Sequence, residues 1–105
     1  MFDSIRASML LGKGHKYLQN GRYQEALEKA LKADELKLNE QFAWLRHMIE
    51  GKARHHLGDN ENALPALLKA QEILAAKMQR EKSSKPLQNI MDDITQHIEK
   101  IQGGG

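Results

Sequence analysis

Five histidines, at positions 15, 47, 55, 56 and 97, are the side chains of this sequence best suited to chemistry. Imidazole ligates zinc, copper and nickel, and it titrates near neutrality. Their spacing argues against a metal site. Ligands that share a helix face sit at i and i+4, as in the HExxH pattern, whereas His55 and His56 are adjacent and His47 lies two turns earlier. They read as surface or groove histidines, with a mild response expected as the pH falls below about 6.5. The chain has no cysteine, which excludes a disulfide framework, a thiol nucleophile and any cysteine-ligated zinc or iron-sulfur centre. No glycine-rich phosphate loop follows a strand pattern and no GxSxG elbow occurs; the Asp92-Asp93 pair falls on the polar side of a helical stretch and reads as a solvated face. A non-enzymatic role without a cofactor or a metal is therefore expected.

The elements that position these residues are set by two glycine turns. An apolar-periodic stretch ends at Gln19-Asn20-Gly21-Arg22 and another at His56-Leu57-Gly58-Asp59, and each glycine suits the left-handed conformation that closes a helix. Ile5, Met9, Leu10, Gly14, Tyr17 and Leu18 give an apolar or small face before the first turn, and Tyr23, Ala26, Leu27, Ala30, Leu31 and Ala33 give one after it. The second unit repeats the design. Phe42, Leu45, Ile49, Ala53 and Leu57 precede its turn, and Ala63, Leu64, Leu67, Leu68, Ala70, Ile73 and Leu74 follow it. Asn39 is the expected cap of this unit, and its outgoing helix is expected to run to about Lys82 with Pro65 tolerated near its start. Ser84 and Pro86 then open a fifth helix whose apolar stripe is Leu87, Ile90, Met91, Ile94, Ile98 and Ile101. Gly21 and Gly58 stand 37 residues apart, a period that belongs to helical solenoids.

Composition agrees with one all-α domain of residues 1–102. Five aromatics leave Leu, Ile, Ala and Met to build the core, which favours closely packed helices over a β-sandwich. Sixteen basic residues against fourteen acidic ones, spread along the chain, give no reason to expect nucleic acid as a partner. No apolar run approaches the roughly 20 residues of a membrane span, and Met1-Phe2-Asp3 does not open a secretory signal. No membrane association and a cytoplasmic location are expected, with residues 103–105 as a flexible glycine tail.

The series Gly14-(x2)-Tyr17-(x3)-Gly21-(x)-Tyr23-(x2)-Ala26-(x3)-Ala30-(x2)-Ala33 resembles the tetratricopeptide repeat, a helix-turn-helix unit closed through small residues at fixed places. Gly51, Gly58, Ala63, Leu67 and Ala70 follow in the same order in the second unit. The resemblance covers about residues 7–75. It departs from the family where Leu10 and Lys13, and again His47 and Glu50, stand at the places of its Trp and Leu. Arg54 replaces an aromatic, no closing proline follows either unit, and the spacing exceeds the family's usual one by three residues. The implied fold is an all-α array of two antiparallel helix hairpins, repeat 1 at about 7–38 and repeat 2 at about 39–82, with a capping amphipathic helix at about 85–102.

In that family the first helices of successive repeats line a concave groove that holds a peptide or helix of a partner protein. Carried over, the resemblance implies a groove of Ser8, Leu11, His15, Leu18 and Gln19 from the first repeat. The second repeat adds Leu45, Met48, Ile49, Lys52, His55 and His56. Leu11, Met48 and Ile49 would hold an apolar side chain, and Lys52 with the histidines would meet a carboxylate. The same apolar residues equally satisfy a core reading, in which they pack against a neighbouring helix. Chaperone-tail binding is not expected, because Leu11, His15 and Ile49 stand where that version of the family places its carboxylate clamp. The main alternative is self-association into a homo-oligomer, through the Leu87 to Ile101 stripe or the Phe2 to Leu11 segment. A three-helix bundle of the microtubule-interacting and trafficking type shares the Gly21-Arg22-Tyr23 turn, but the second glycine turn weighs against it.

Overall fold

A computed structural model describes residues 2–36, 42–82 and 84–103, and in it the two glycine turns join four helices and a fifth follows. These are α1 (Phe2–Gln19), α2 (Tyr23–Asp34), α3 (Ala43–His56), α4 (Asn60–Arg80) and α5 (Lys85–Gln102). Gly21 and Gly58 take φ of 77° and 87°, the region that Cβ sterics deny to most residues. Each turn is closed by the same pair of backbone bonds. The amides of Gly21 and Arg22 donate to the carbonyls of Leu18 and Tyr17, and those of Gly58 and Asp59 donate to His55 and Arg54. This is the Schellman closure, which satisfies carbonyls that a helix end leaves open. Asp59 caps α4 by accepting from the Asn62 amide at 3.3 Å, and Ser84 caps α5 by accepting from Leu87 at 3.4 Å. Pro65 lies inside α4, where it forgoes one ladder bond.

The 37-residue offset seen in the turns extends through the packing. Ala26 and Ala63, Ala30 and Leu67, and Ala33 and Ala70 are equivalent pairs, and all six residues are fully buried. Leu31 and Leu68 form a fourth pair, exposed to 39% and 40%. Gly14 and Gly51 bring the two helices of each hairpin together. A Cβ at Gly14 would meet Lys29 Cβ at 3.3 Å, whereas one at Gly51 would meet Leu67 Cγ at 2.6 Å, so the second hairpin is the tighter. Next, α3 packs on α2 and more lightly on α1, and α5 packs on α4 and more lightly on α3. The fifth helix thus takes, over the second hairpin, the place that α3 takes over the first.

One polar network is built into this stack. Arg46, 8% exposed, reaches Glu50 at 2.8 Å and Asp34 of α2 at 3.3 Å, while Arg54 holds Glu50 at 3.0 Å and Asp59 at 3.2 Å. A buried guanidinium is tolerated only when so partnered. The apolar core centres on Leu11, Ile49, Leu67, Leu74 and Ile94.

Several expectations change. The core stripe of α1 is Ala7, Leu11, Gly14 and Leu18, and Ile5 and Met9 are 57% and 60% exposed instead of facing inward. Leu11 and Ile49 are buried core residues, so for these two the packing reading describes their place; Leu18 is buried as well, and Met48, 3% exposed, belongs to the core while also lining the cleft described below. The first helix begins at Phe2, ahead of the repeat boundary, and α4 ends at Arg80. Asn39, Gly104 and Gly105 lie outside the described residues; Gly103 is the C-cap of α5, in right-handed conformation. Among the described residues no helix is long and apolar enough to cross a membrane.

Candidate functional site

Three helices, α1, α3 and α5, border one cleft of about 440 Å³. α1 contributes His15 and Gln19, one turn apart near its end; α3 contributes Trp44, Leu45, Met48 and Lys52; α5 contributes Asn89, Ile90 and Asp93. The spacing on each helix is that of one face, which is why a single cleft collects them. Met48 forms part of the floor, and Trp44, Leu45 and Ile90 are half-buried against the core. Gln19 and Asn89 are exposed at the rim. His15 is half-buried; burial, and then the charge of Lys52, lower its pKa. Its Nδ1 is buried without a hydrogen-bond partner among the described residues. An apolar floor with a few directed polar groups is the usual make-up of a recognition site, and the volume falls within the usual range of about 300–1,000 Å³.

The far end of the cleft is closed by contacts between α3 and α5. Lys52 Nζ donates to Asp93 Oδ2 in a pair that is half-buried on the α3 side. One turn further along both helices, His55 Nδ1 and His97 Nδ1 lie 2.7 Å apart, so one ring donates and the other accepts. The His56 and His97 rings meet edge to face at 5.5 Å between centroids, and His56 stacks on Tyr23 of α2 at 4.1 Å. His97 Nε2 is 3.9 Å from Asp93 Oδ1. Burial lowers the His97 pKa to about 4, with the Lys52, His55 and His56 charges acting in the same direction and Asp93 opposing them. Burial likewise lowers that of His56, with further contributions from His55 and Lys52. No three of the described His, Asp or Glu residues converge in a way that would hold a metal ion.

Of the residues carried over from the family resemblance, His15, Gln19, Leu45, Met48 and Lys52 are brought together here. Leu11, Leu18 and Ile49 are not available to a ligand, being buried in the core, and Ser8 is exposed without lining the cleft. His55 and His56 sit beside it and do not line it: His55 is half-buried against His97, and His56 is exposed with its ring stacked on Tyr23. His47 is on the other side of α3, against Arg46 at 3.1 Å. Burial and then Arg46 lower its pKa. Trp44, which the sequence offers either for packing near the start of its helix or as an anchor for a partner, also lines the cleft, whereas sequence reasoning missed the whole contribution of α5: Asn89, Ile90 and Asp93. The Asp93/His97 spacing of four residues, which puts a carboxylate and an imidazole on one face toward Lys52 and His55, was the available signal.

Two other clefts, of about 420 and 560 Å³, open on the opposite side of α3, along its seam with α4. Their charged lining is the Arg46–Glu50–Arg54 network, the Lys69–Glu72 pair and Arg80, beside Ala43, Ile73 and Ala76 in one and Leu31, Pro65 and Ala66 in the other. The α1/α3/α5 cleft is the one of the three floored by Trp44, Leu45, Met48 and Ile90, with Lys52 and Asp93 as its paired charges.

Comparison with protein-family models, with curated proteins and with solved structures found no match to this chain.

Proposed function

We propose that this chain is a non-catalytic protein-interaction module of the tetratricopeptide type, an adaptor that holds a short peptide or helix of a partner protein in the α1/α3/α5 cleft. The observation that carries the reading is the lining itself: Trp44, Leu45, Met48 and Ile90 beneath, with His15, Gln19 and Asn89 around them. Binding sites draw most of their energy from such apolar anchors, and the surrounding polar groups fix orientation. Repetition of the α1-to-α3 relation by α5 supports the repeat assignment, because it makes the cleft a continuous surface of successive first helices. The partner's anchor is an apolar side chain flanked by uncharged hydrogen-bonding groups. A carboxylate is disfavoured, since Lys52 is already neutralised by Asp93.

A peptide-display selection tests this, run on the wild type and counter-selected on a Gln19→Arg/Asn89→Arg variant. Both substituted residues are exposed, so the variant retains the helical circular dichroism of the wild type. Peptides enriched on the wild type alone, whose addition shifts the emission of Trp44, are the expected outcome; Trp44 is the single tryptophan. Equal enrichment on both proteins, or binding that leaves Trp44 emission unchanged, overturns the assignment.

A further inference from the structure

The end of the array opposite α5 carries a second, differently charged surface. On the face of α1 turned away from the proposed peptide cleft, Arg6, Met9, Leu10 and Lys13 border a small cleft with Lys32 of α2, about 180 Å³ in volume. Beyond Lys13 it continues into a cleft lined by Lys16, Tyr17, Asn20 and Arg22. Each of these two clefts is lined by cations and, among the described residues, by no carboxylate.

The 37-residue offset says what this surface is. Shifted by one repeat, Arg6, Met9, Leu10, Lys13 and Lys32 become Ala43, Arg46, His47, Glu50 and Lys69, and all five line the clefts at the seam of α3 and α4. In the second hairpin that seam is bordered by the preceding helix: α2 supplies Leu31, and Asp34 reaches Arg46 at 3.3 Å. Leu31 and Asp34 are three residues apart and so share one face of α2. The first hairpin therefore presents a seat for a helix. Its chemistry also differs from the filled seat, for Glu50, which neutralises Arg46 and Arg54, is replaced by Lys13, and Arg46 by Met9.

We propose that the outer seam of α1 and α2 binds an acidic amphipathic helix of a partner protein, one that sets an apolar side chain on Met9 and Leu10 and a carboxylate, three or four residues on, against Lys13 and Lys32. The repeat geometry supplies the helical shape of the occupant. Charge complementarity supplies its sign, with Arg6, Lys13, Lys16 and Lys32 along one strip. Met9 is 60% exposed, and its flexible thioether suits an adaptable apolar contact.

The probe is a fluorescein-labelled synthetic peptide copying residues 23–36 of this chain, the helix that borders the equivalent seam, with Lys29→Glu and Lys32→Glu to make it acidic. Saturable binding by anisotropy is expected, with amide shift changes at Arg6, Met9 and Lys13. At least a tenfold loss is expected in a Lys13→Glu/Lys32→Glu protein, whose substituted residues are exposed. The Gln19→Arg/Asn89→Arg variant should bind this peptide as the wild type does, so the outcome is independent of the peptide cleft. Affinity unchanged by Lys13→Glu/Lys32→Glu overturns the proposal, as does equal binding of a scrambled peptide with the same charge but no apolar stripe. Two further results overturn it by naming another occupant. One is a concentration-dependent dimer abolished by Lys13→Glu/Lys32→Glu; the other is binding to anionic phospholipid vesicles without binding of the peptide.

Discussion

Acidification should loosen the α3/α5 end of the molecule through His97, and the size of the effect can be worked out. The unfolded chain binds a proton on this residue with a pKa of about 6.5. In the fold, burial lowers it to about 4, so the native state holds the neutral form over a range in which the unfolded state has become charged. The unfolded state binds more protons between these values, and stability therefore falls as the pH falls. The loss from this residue is about 1.4 kcal/mol at pH 5.5 and about 2.5 kcal/mol at pH 4.5, relative to pH 7.5 or above. It levels off at about 3.4 kcal/mol below about pH 3. These are upper values, reached if the His55, His56, Lys52 and Asp93 surroundings stay in place as the proton enters; local opening lowers them. For a domain of this size about 2.5 kcal/mol corresponds to a fall in Tm on the order of 10 °C. The assay is thermal and urea unfolding of the wild type and a His97→Gln variant from pH 7.5 to 4.5. The variant keeps a polar side chain facing His55 but has no titrating group, so carboxylates and the other histidines cancel in the comparison. The wild type should lose more stability than His97→Gln across the window, by one to a few kcal/mol. Parallel curves, or an NMR titration placing His97 at an ordinary imidazole pKa, would refute the reasoning.

Two further expectations concern the glycines. Gly51→Ala should destabilise by about 1–2 kcal/mol, because the overlap with Leu67 Cγ exceeds what the better helix propensity of Ala returns, whereas Gly14→Ala, with its nearest neighbour at 3.3 Å, should lie near zero. Urea unfolding of the pair checks the contrast, and an equal effect at both sites would contradict the difference in hairpin closeness. Gly58→Ala should cost about 1 kcal/mol for its left-handed φ of 87°, and Gly58→Asn less, as read by the same transitions.

Much of the helical layout was legible because its signals are local. A glycine that must take positive φ, a serine that caps and an alanine series at helical spacing each constrain a few neighbouring residues, and each of these did so here. The faces of α1 were harder. Ile5 and Met9 form one apolar row and Ala7, Leu11, Gly14 and Leu18 another, and only the tertiary neighbours of α1 select between them. The cleft was half legible for the same reason. His15, Gln19, Leu45, Met48 and Lys52 follow from the repeat register of the first helices. Leu11, Leu18 and Ile49 failed as groove residues because they lie a further step round each helix, toward the hairpin partner, where burial takes them out of a ligand's reach.

The contribution of α5 was the part that local pattern could not supply, and it changes the chemistry of the site. Read without that helix, Lys52, His55 and His56 make a basic wall suited to an acidic peptide. With Asp93 on Lys52 and His97 on His55, the same wall becomes an internal contact that holds the array together. A charge placed 41 residues away in sequence thus neutralises the one lysine of that wall. In the function proposed above the apolar floor under Trp44 and Ile90 supplies the affinity, and a surplus of cations lies on the opposite face of α1, where Lys13 stands in the place of Glu50. The proposed peptide cleft and the proposed cationic seat lie on opposite faces of α1 and share no lining residue. The two sets of exposed substitutions, at Gln19 and Asn89 and at Lys13 and Lys32, should therefore abolish two different bindings independently of one another.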